Sequence, residues 1–151
     1  MNIFALRVGK VAKALVNKLS RRALFKYRVL ASSEHQSIFK ADTFNTIVDI
    51  GANRGQFALS ARANSNANII SFEPLVEPAK VFKEIFSDDI STKLYQTAIG
   101  QEKTELTMHV SAKDDSSSLL PISGLQEKIY PGTKEVGTLK VQVAPLDSFL
   151  K

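Results

Sequence analysis

The sequence predicts an α/β fold built on a parallel sheet, and three observations carry that prediction. Two short β-branched runs, Thr46 to Ile50 and Asn68 to Phe72, alternate with segments of helical periodicity. A turn bearing two glycines follows the first run directly. With 151 residues, 44% apolar and 23% charged, the chain has the composition of a globular protein large enough for one real core.

Taken in order, residues 1–41 are expected to form a basic helical arm and residues 42–151 the sheet domain. Phe4, Val8, Val11, Leu15 and Leu19 recur at steps of three and four, one face of an α-helix. Residues 1–30 contain eight of the 20 basic side chains and no acidic one. That leaves twelve basic against 15 acidic residues in the remainder, so the formal charge of +5 comes from the arm. A signal peptide fits poorly, because Lys10 and Lys13 interrupt any apolar stretch. Such a helix can pack on its own domain or lie on an anionic membrane through residues 3–28. A nucleic-acid partner is not expected, since only Phe25 and Tyr27 could act as stacking platforms.

The sheet domain begins with Thr46 to Ile50, a run suited to a strand buried on both faces. Gln56 to Ala63 reads as a short helix, and Asn68 to Phe72 as the second strand. Glu77-Pro78 opens a helix whose apolar stripe is Val81, Phe82, Ile85 and Phe86. Leu94 to Ile99 is the third strand expected, ending at Gly100. This β-α-β-α-β order implies right-handed parallel crossovers. Beyond it, Leu106 to Val110 and Leu139 to Val143 alternate apolar and polar residues, as half-buried antiparallel strands of a hairpin do. Ser111 to Gly137 between them reads as polar and turn-rich, and His109 as a solvent-facing strand residue.

Several chemistries are excluded. There is no cysteine, which removes disulfides, thiolate catalysis and thiolate metal sites. His35 and His109 are the only imidazoles and are far apart, so no metal site is expected. No 18-residue apolar run exists, and the expected location is the cytoplasm, with the arm able to bring the protein to a membrane surface.

The residues that carry chemistry are Asp49-Ile50-Gly51-Ala52-Asn53-Arg54-Gly55-Gln56-Phe57. After a buried strand and before a helix, Gly51 and Gly55 let the backbone approach a ligand and take φ values other residues resist. The helix start adds N–H groups and a positive dipole end. Glu73, 22 residues after Gly51, stands at the end of the second strand, where a carboxylate can accept both hydroxyl protons of a ribose. Together these features predict a Rossmann-like site for an adenosyl ligand. A dinucleotide fingerprint would be G-x-G-x-x-G, but Asn53 occupies the place of the pyrophosphate-tolerant glycine. Asn53 and Asp49 suit the amino-acid and sulfonium groups of S-adenosylmethionine instead. Bland roles remain open for both acids: Asp49 as a cap of the turn and Glu73 as a surface acid before Pro74.

The first motif resembles that of FkbM-type methyltransferases. The likeness continues through Ser71-Phe72-Glu73-Pro74, Thr97-Ala98-Ile99-Gly100, Ser116-Ser117-Ser118-Leu119 and Val141 to Asp147, covering about residues 45–150. The resemblance implies a class I methyltransferase fold, S-adenosyl-L-methionine as donor, and O-methylation of a hydroxyl on a sugar or polyketide-like small-molecule acceptor. It also implies that Asp49, Gly51, Asn53 and Gly55 face the methionine part, that Glu73 holds the ribose, and that Ala98 and Ile99 lie near the adenine. Ala52, Phe57 and Pro74 complete the expected cofactor-binding set.

In the family, the segment matching Val141 to Asp147 precedes a further strand with a Lys-x-Asp-x-Glu-Gly-like motif, whereas this chain stops at Lys151. The fold is therefore expected to be truncated after the third parallel strand plus the hairpin. The first strand would then keep an open edge at which copies could associate. No residue is identified as the catalytic base; Asp114, Asp115 and the serine loop read as solvated. Three functional readings follow: an O-methyltransferase, an inactive remnant that binds an adenosyl ligand or is purely structural, and an NAD-dependent oxidoreductase.

Overall fold

A computed structural model of the chain describes residues 17–34 and 36–150. The apolar residues Phe4, Val8, Val11 and Leu15 of the arm lie outside the described residues. Two compact units divide between residues 95 and 96, each with a three-stranded sheet.

In the first unit, helix α1 spans Lys18–Tyr27. Asn17 starts it: its backbone is extended and its side chain accepts the Leu19 N–H at 2.8 Å, satisfying one otherwise unpaired donor. Arg28 ends it in the left-handed region, φ 57°. Ala23 is fully buried and Leu19 packs against the same core. Helix α2 (Gln36–Ala41) contributes Phe39, whose ring meets Phe44 edge-on at 6.3 Å. Residue spacing does not foreshadow this helix, because six residues are too few to show a helical period.

Strands β1 (Thr46–Ile50), β2 (Asn68–Phe72) and β3 (Thr92–Tyr95) form a parallel sheet in the order β1-β2-β3. The register sets Ile47 opposite Ile69 and Asp49 opposite Ser71. Because side chains alternate along a strand, these four share one face. Helices α3 (Gln56–Asn64) and α4 (Val76–Ile85) supply that face's partners, with Ala58, Leu59, Ala61, Phe82 and Ile85 all buried with Ile47 and Ile69. On the other face Phe72 stacks on Tyr95 at 5.5 Å, Val48 is half-buried and Ile50 is 56% exposed. The expectation of a strand buried on both faces is thus met on one face only, where α3 and α4 pack. Among the described residues β1 pairs with β2 alone.

The third strand departs from its expected span. Leu94 to Ile99 is two strands: β3 pairs with β2, and β4 (Ala98–Ile99) pairs parallel with β6 (Glu135–Ala144) of the second unit. The β2–β3 ladder closes with the Glu73 N–H donating to the Tyr95 carbonyl at 3.1 Å, and Pro74, which follows, has no N–H to extend it. Thr97 then donates its hydroxyl to the Gln142 carbonyl at 2.9 Å, tying the chain to β6 instead.

In the second unit β5 (Thr104–Ser111) runs antiparallel to β6 with a bulge at Val110/Ser111, as the alternation in the sequence indicates. Met108, Val141 and Val143 are buried. The polar stretch between the strands contains helix α5 (Gly124–Ile129) rather than turns alone. Ser123 caps it by accepting the Gln126 N–H at 3.3 Å, the Ser-x-x-Gln spacing of a helix start.

Candidate functional site

The glycine turn after β1 is held at both ends by backbone bonds. The Gly51 and Ala52 N–H groups both donate to the Phe72 carbonyl at 2.9 Å, and Gly55 N–H returns to the Ala52 carbonyl at 2.9 Å. Three consecutive odd positions, Gly51 (φ 81°), Asn53 (φ 47°) and Gly55 (φ 94°), lie in the left-handed region. The two glycines serve different needs. A Cβ at Gly55 would stand 2.8 Å from Phe86 Cε2 and 3.0 Å from Phe82 Cδ2, so α4 packs where only a hydrogen fits. A Cβ at Gly51 would meet nothing within 4 Å, so the turn opens onto free space there. Asn53 carries strain that asparagine tolerates, with its side-chain oxygen accepting the Arg54 N–H at 2.6 Å.

Glu73 clasps this turn. It is 5% exposed, and its two carboxylate oxygens each accept a backbone N–H: Oε2 from Asn53 at 2.7 Å, Oε1 from Leu75 at 2.8 Å. The surface-acid reading of Glu73 therefore fails. One carboxylate thus ties the turn after β1 to the start of α4.

Asp49 is the electrostatic oddity of the site. It is 8% exposed, its Oδ2 is buried with no hydrogen-bond partner, and among the described residues neither a capping bond nor a cation compensates it. Burial first, and the nearby Glu73 charge second, push its carboxyl up to about 6. Opposite it on β2, the Ser71 hydroxyl is also buried and unpartnered, as is that of Ser60 on α3. Sequence reasoning missed Ser71, although a serine inside the run Ile69-Ile70-Ser71-Phe72 is a visible exception to its apolar character. Uncompensated buried groups of this kind are rare in folded proteins and single out this strand end as the candidate site.

The other residues expected at the site are distributed as follows. Ala52 is buried inside the turn, and Pro74 is half-buried between Glu73 and Leu75. Phe57 packs its ring against Phe39 at 5.8 Å, as part of the core rim. Ala98 and Ile99 belong to the second unit, on β4. There His109 Nδ1 lies 2.9 Å from Glu135 Oε2, so the histidine read as solvent-facing is paired. The hydroxyls of Ser117 and Ser118 accept the N–H groups of Ser111 and Leu120, serving the loop's own turns. Among the described residues no group of three or more His, Asp or Glu gathers to hold a metal, and no helix is long and apolar enough to cross a membrane.

Neither the curated proteins nor the solved structures include a significant match to this chain. The model of the methyltransferase FkbM domain, in contrast, matches residues 49–151, beginning at the buried carboxylate. Turn, clasp and carboxylate sit where an α/β sheet places its ligands, at the carboxyl ends of the strands. The chain belongs to the FkbM methyltransferase family.

Proposed function

We propose that the protein uses S-adenosyl-L-methionine as methyl donor and methylates a hydroxyl of a sugar or polyketide-like acceptor. The observation that carries the donor is Asp49: a buried carboxylate with a free oxygen beside a second carboxylate favours a cationic ligand. The donor has both a sulfonium and an ammonium, and it supplies the electrophilic methyl carbon. The residues of this chain would bind and orient it: Asp49 by charge, the turn from Gly51 to Gly55 by close backbone approach, and Glu73, at the end of β2, toward the ribose. Methyl transfer to oxygen depends mainly on such positioning. The acceptor class rests on the family alone. An NAD site is disfavoured, because the two buried acids would repel a pyrophosphate and Asn53 fills the place of the glycine that admits one.

Titration calorimetry with S-adenosylmethionine, its demethylated product and NAD tests the proposal. Binding of the first two and not of NAD is expected. Binding of NAD alone would overturn the reading, and a folded protein without affinity for any of the three would favour a non-catalytic role.

A further inference from the structure

The fold fixes which side of α1 faces outward, and that side is cationic. Inward, Ala23 and Ser20 are buried and Leu19 meets the core. Arg22 Nη1 donates to the Ile85 carbonyl at 3.3 Å and to Ser87 Oγ at 2.8 Å, while Nη2 pairs with Asp88. Tyr27 donates its hydroxyl to Glu84 at 2.6 Å. Away from Ala23 and Tyr27, Lys18, Arg21 and Phe25 recur at steps of three and four and are all exposed, with Phe25 71% exposed and Lys18 at the edge nearest Asp88. Arg28, at the helix end, is exposed as well. Leu19, the one residue of the arm's apolar stripe among the described residues, thus turns inward, and a different side of α1 is exposed.

We propose that this outward side of α1 docks on an anionic lipid surface. Its charge is complementary to such a surface: three exposed cations, in a 30-residue segment without one acidic residue, on a chain whose remainder carries a slight negative excess. Such an excess of one charge on one helix side steers that side toward an anionic surface. Phe25 stands between the cations, where an aromatic ring can enter the headgroup layer while the charges meet lipid phosphate and carboxylate. Nucleic acid fits less well, because stacking needs successive aromatic platforms and Tyr27 is turned inward on Glu84.

The test is co-sedimentation of the full chain with vesicles of phosphatidylcholine alone and of phosphatidylcholine mixed with phosphatidylserine. Binding to the mixed vesicles only is expected, and its loss at about 0.5 M salt, where the screening length shrinks to a few ångströms. The double variant Lys18→Gln/Arg21→Gln should bind roughly thirtyfold more weakly, about fivefold per cation. Phe25→Ser should weaken binding several-fold without changing charge. Neither variant touches a buried contact, so the melting temperature should stay unchanged. Equal binding to both vesicle types, no binding at all, or mixed-vesicle binding unaffected by the double variant would overturn the proposal. So would retention on a single-stranded oligonucleotide in preference to the mixed vesicles at matched salt.

Discussion

At Asp49 stability is set against the donor binding proposed for it. Its folded pKa of about 6 lies above the ordinary value of 3.8. The ionised form is therefore disfavoured by folding: the group costs nothing below about pH 4, and its full cost is present once the pH has risen through 6. That cost is about 3 kcal/mol at neutral pH, an order-of-magnitude figure from the shift. Asp49→Asn should accordingly melt higher than the parent at pH 7.5, and the two curves should converge near pH 4.5. In the same variant, affinity for a cationic donor should fall at least tenfold by calorimetry, and in the parent it should weaken as the pH drops below about 6. A variant less stable than the parent at pH 7.5 would show that Asp49 has a partner when folded. Glu73 behaves in the opposite way. Glu73→Ala strands the N–H groups of Asn53 and Leu75, costing about 1–3 kcal/mol each in urea unfolding. Loss of the proposed ribose contact should cost a further ten- to hundredfold in donor affinity, from about 1.5–3 kcal/mol. An unchanged affinity in a folded variant would mean the ribose lies elsewhere.

At the scale of elements, the glycine turn and the helix contacts decide geometry. Gly55→Ala must both strain a φ of 94° and displace Phe82 and Phe86, so a loss of about 2–4 kcal/mol is expected. Gly51→Ala strains φ alone and should cost about 1–2 kcal/mol. Its methyl nevertheless projects into the open space of the turn, so it should lose donor affinity out of proportion to its stability. Paired urea and calorimetric titrations of the two variants separate these effects. Elsewhere in the unit, Arg62 on α3 pairs with Asp89 at 2.7 Å and donates to Thr92 Oγ1 at 3.0 Å, fastening α3 to the start of β3. Both partners of the ion pair are over four-fifths buried. Removing one charge leaves the other without compensation, so Arg62→Ala should cost about 2–4 kcal/mol in chemical denaturation. These elements were mostly legible in the sequence. β1 and β2 have the bounds their β-branched runs indicate, and α3 extends one residue past its expected end. The exceptions, α2 and the division of Leu94 to Ile99, share a cause. A six-residue helix is too short to show a period, and a strand's partner cannot be read from the strand itself.

For the molecule as a whole, the proposed donor site would couple ligand and fold through the same carboxylates. A ligand that binds only the folded state stabilises it by mass action, about 2.7 kcal/mol at a concentration 100 times its Kd. For a chain of this size the donor should raise the melting temperature by roughly 5–10 °C. The increment should be larger at pH 7.5 than at pH 5, because only an ionised Asp49 is relieved by a cation. A thermal shift independent of pH would place the ligand away from that carboxylate.

Periodicity, two glycines and two strand-end acids were enough to indicate the α/β class and the turn, because these depend on steric and hydrogen-bonding preferences of adjacent residues. The roles of the acids were not readable at that level. Asp49 could have been a capped, ordinary carboxylate; its unpartnered oxygen and raised pKa arise from burial by residues distant in sequence and from Glu73 brought alongside. Glu73 was read as a ribose ligand or a surface acid, and packing made it the clasp between the turn after β1 and the start of α4. Likewise, the arm's sequence carries both an apolar and a basic side, and the core chose which one turned inward at Leu19 and Ala23. Desolvation and long-range pairing are properties of neighbours in space, and the chain acquires those neighbours only by folding.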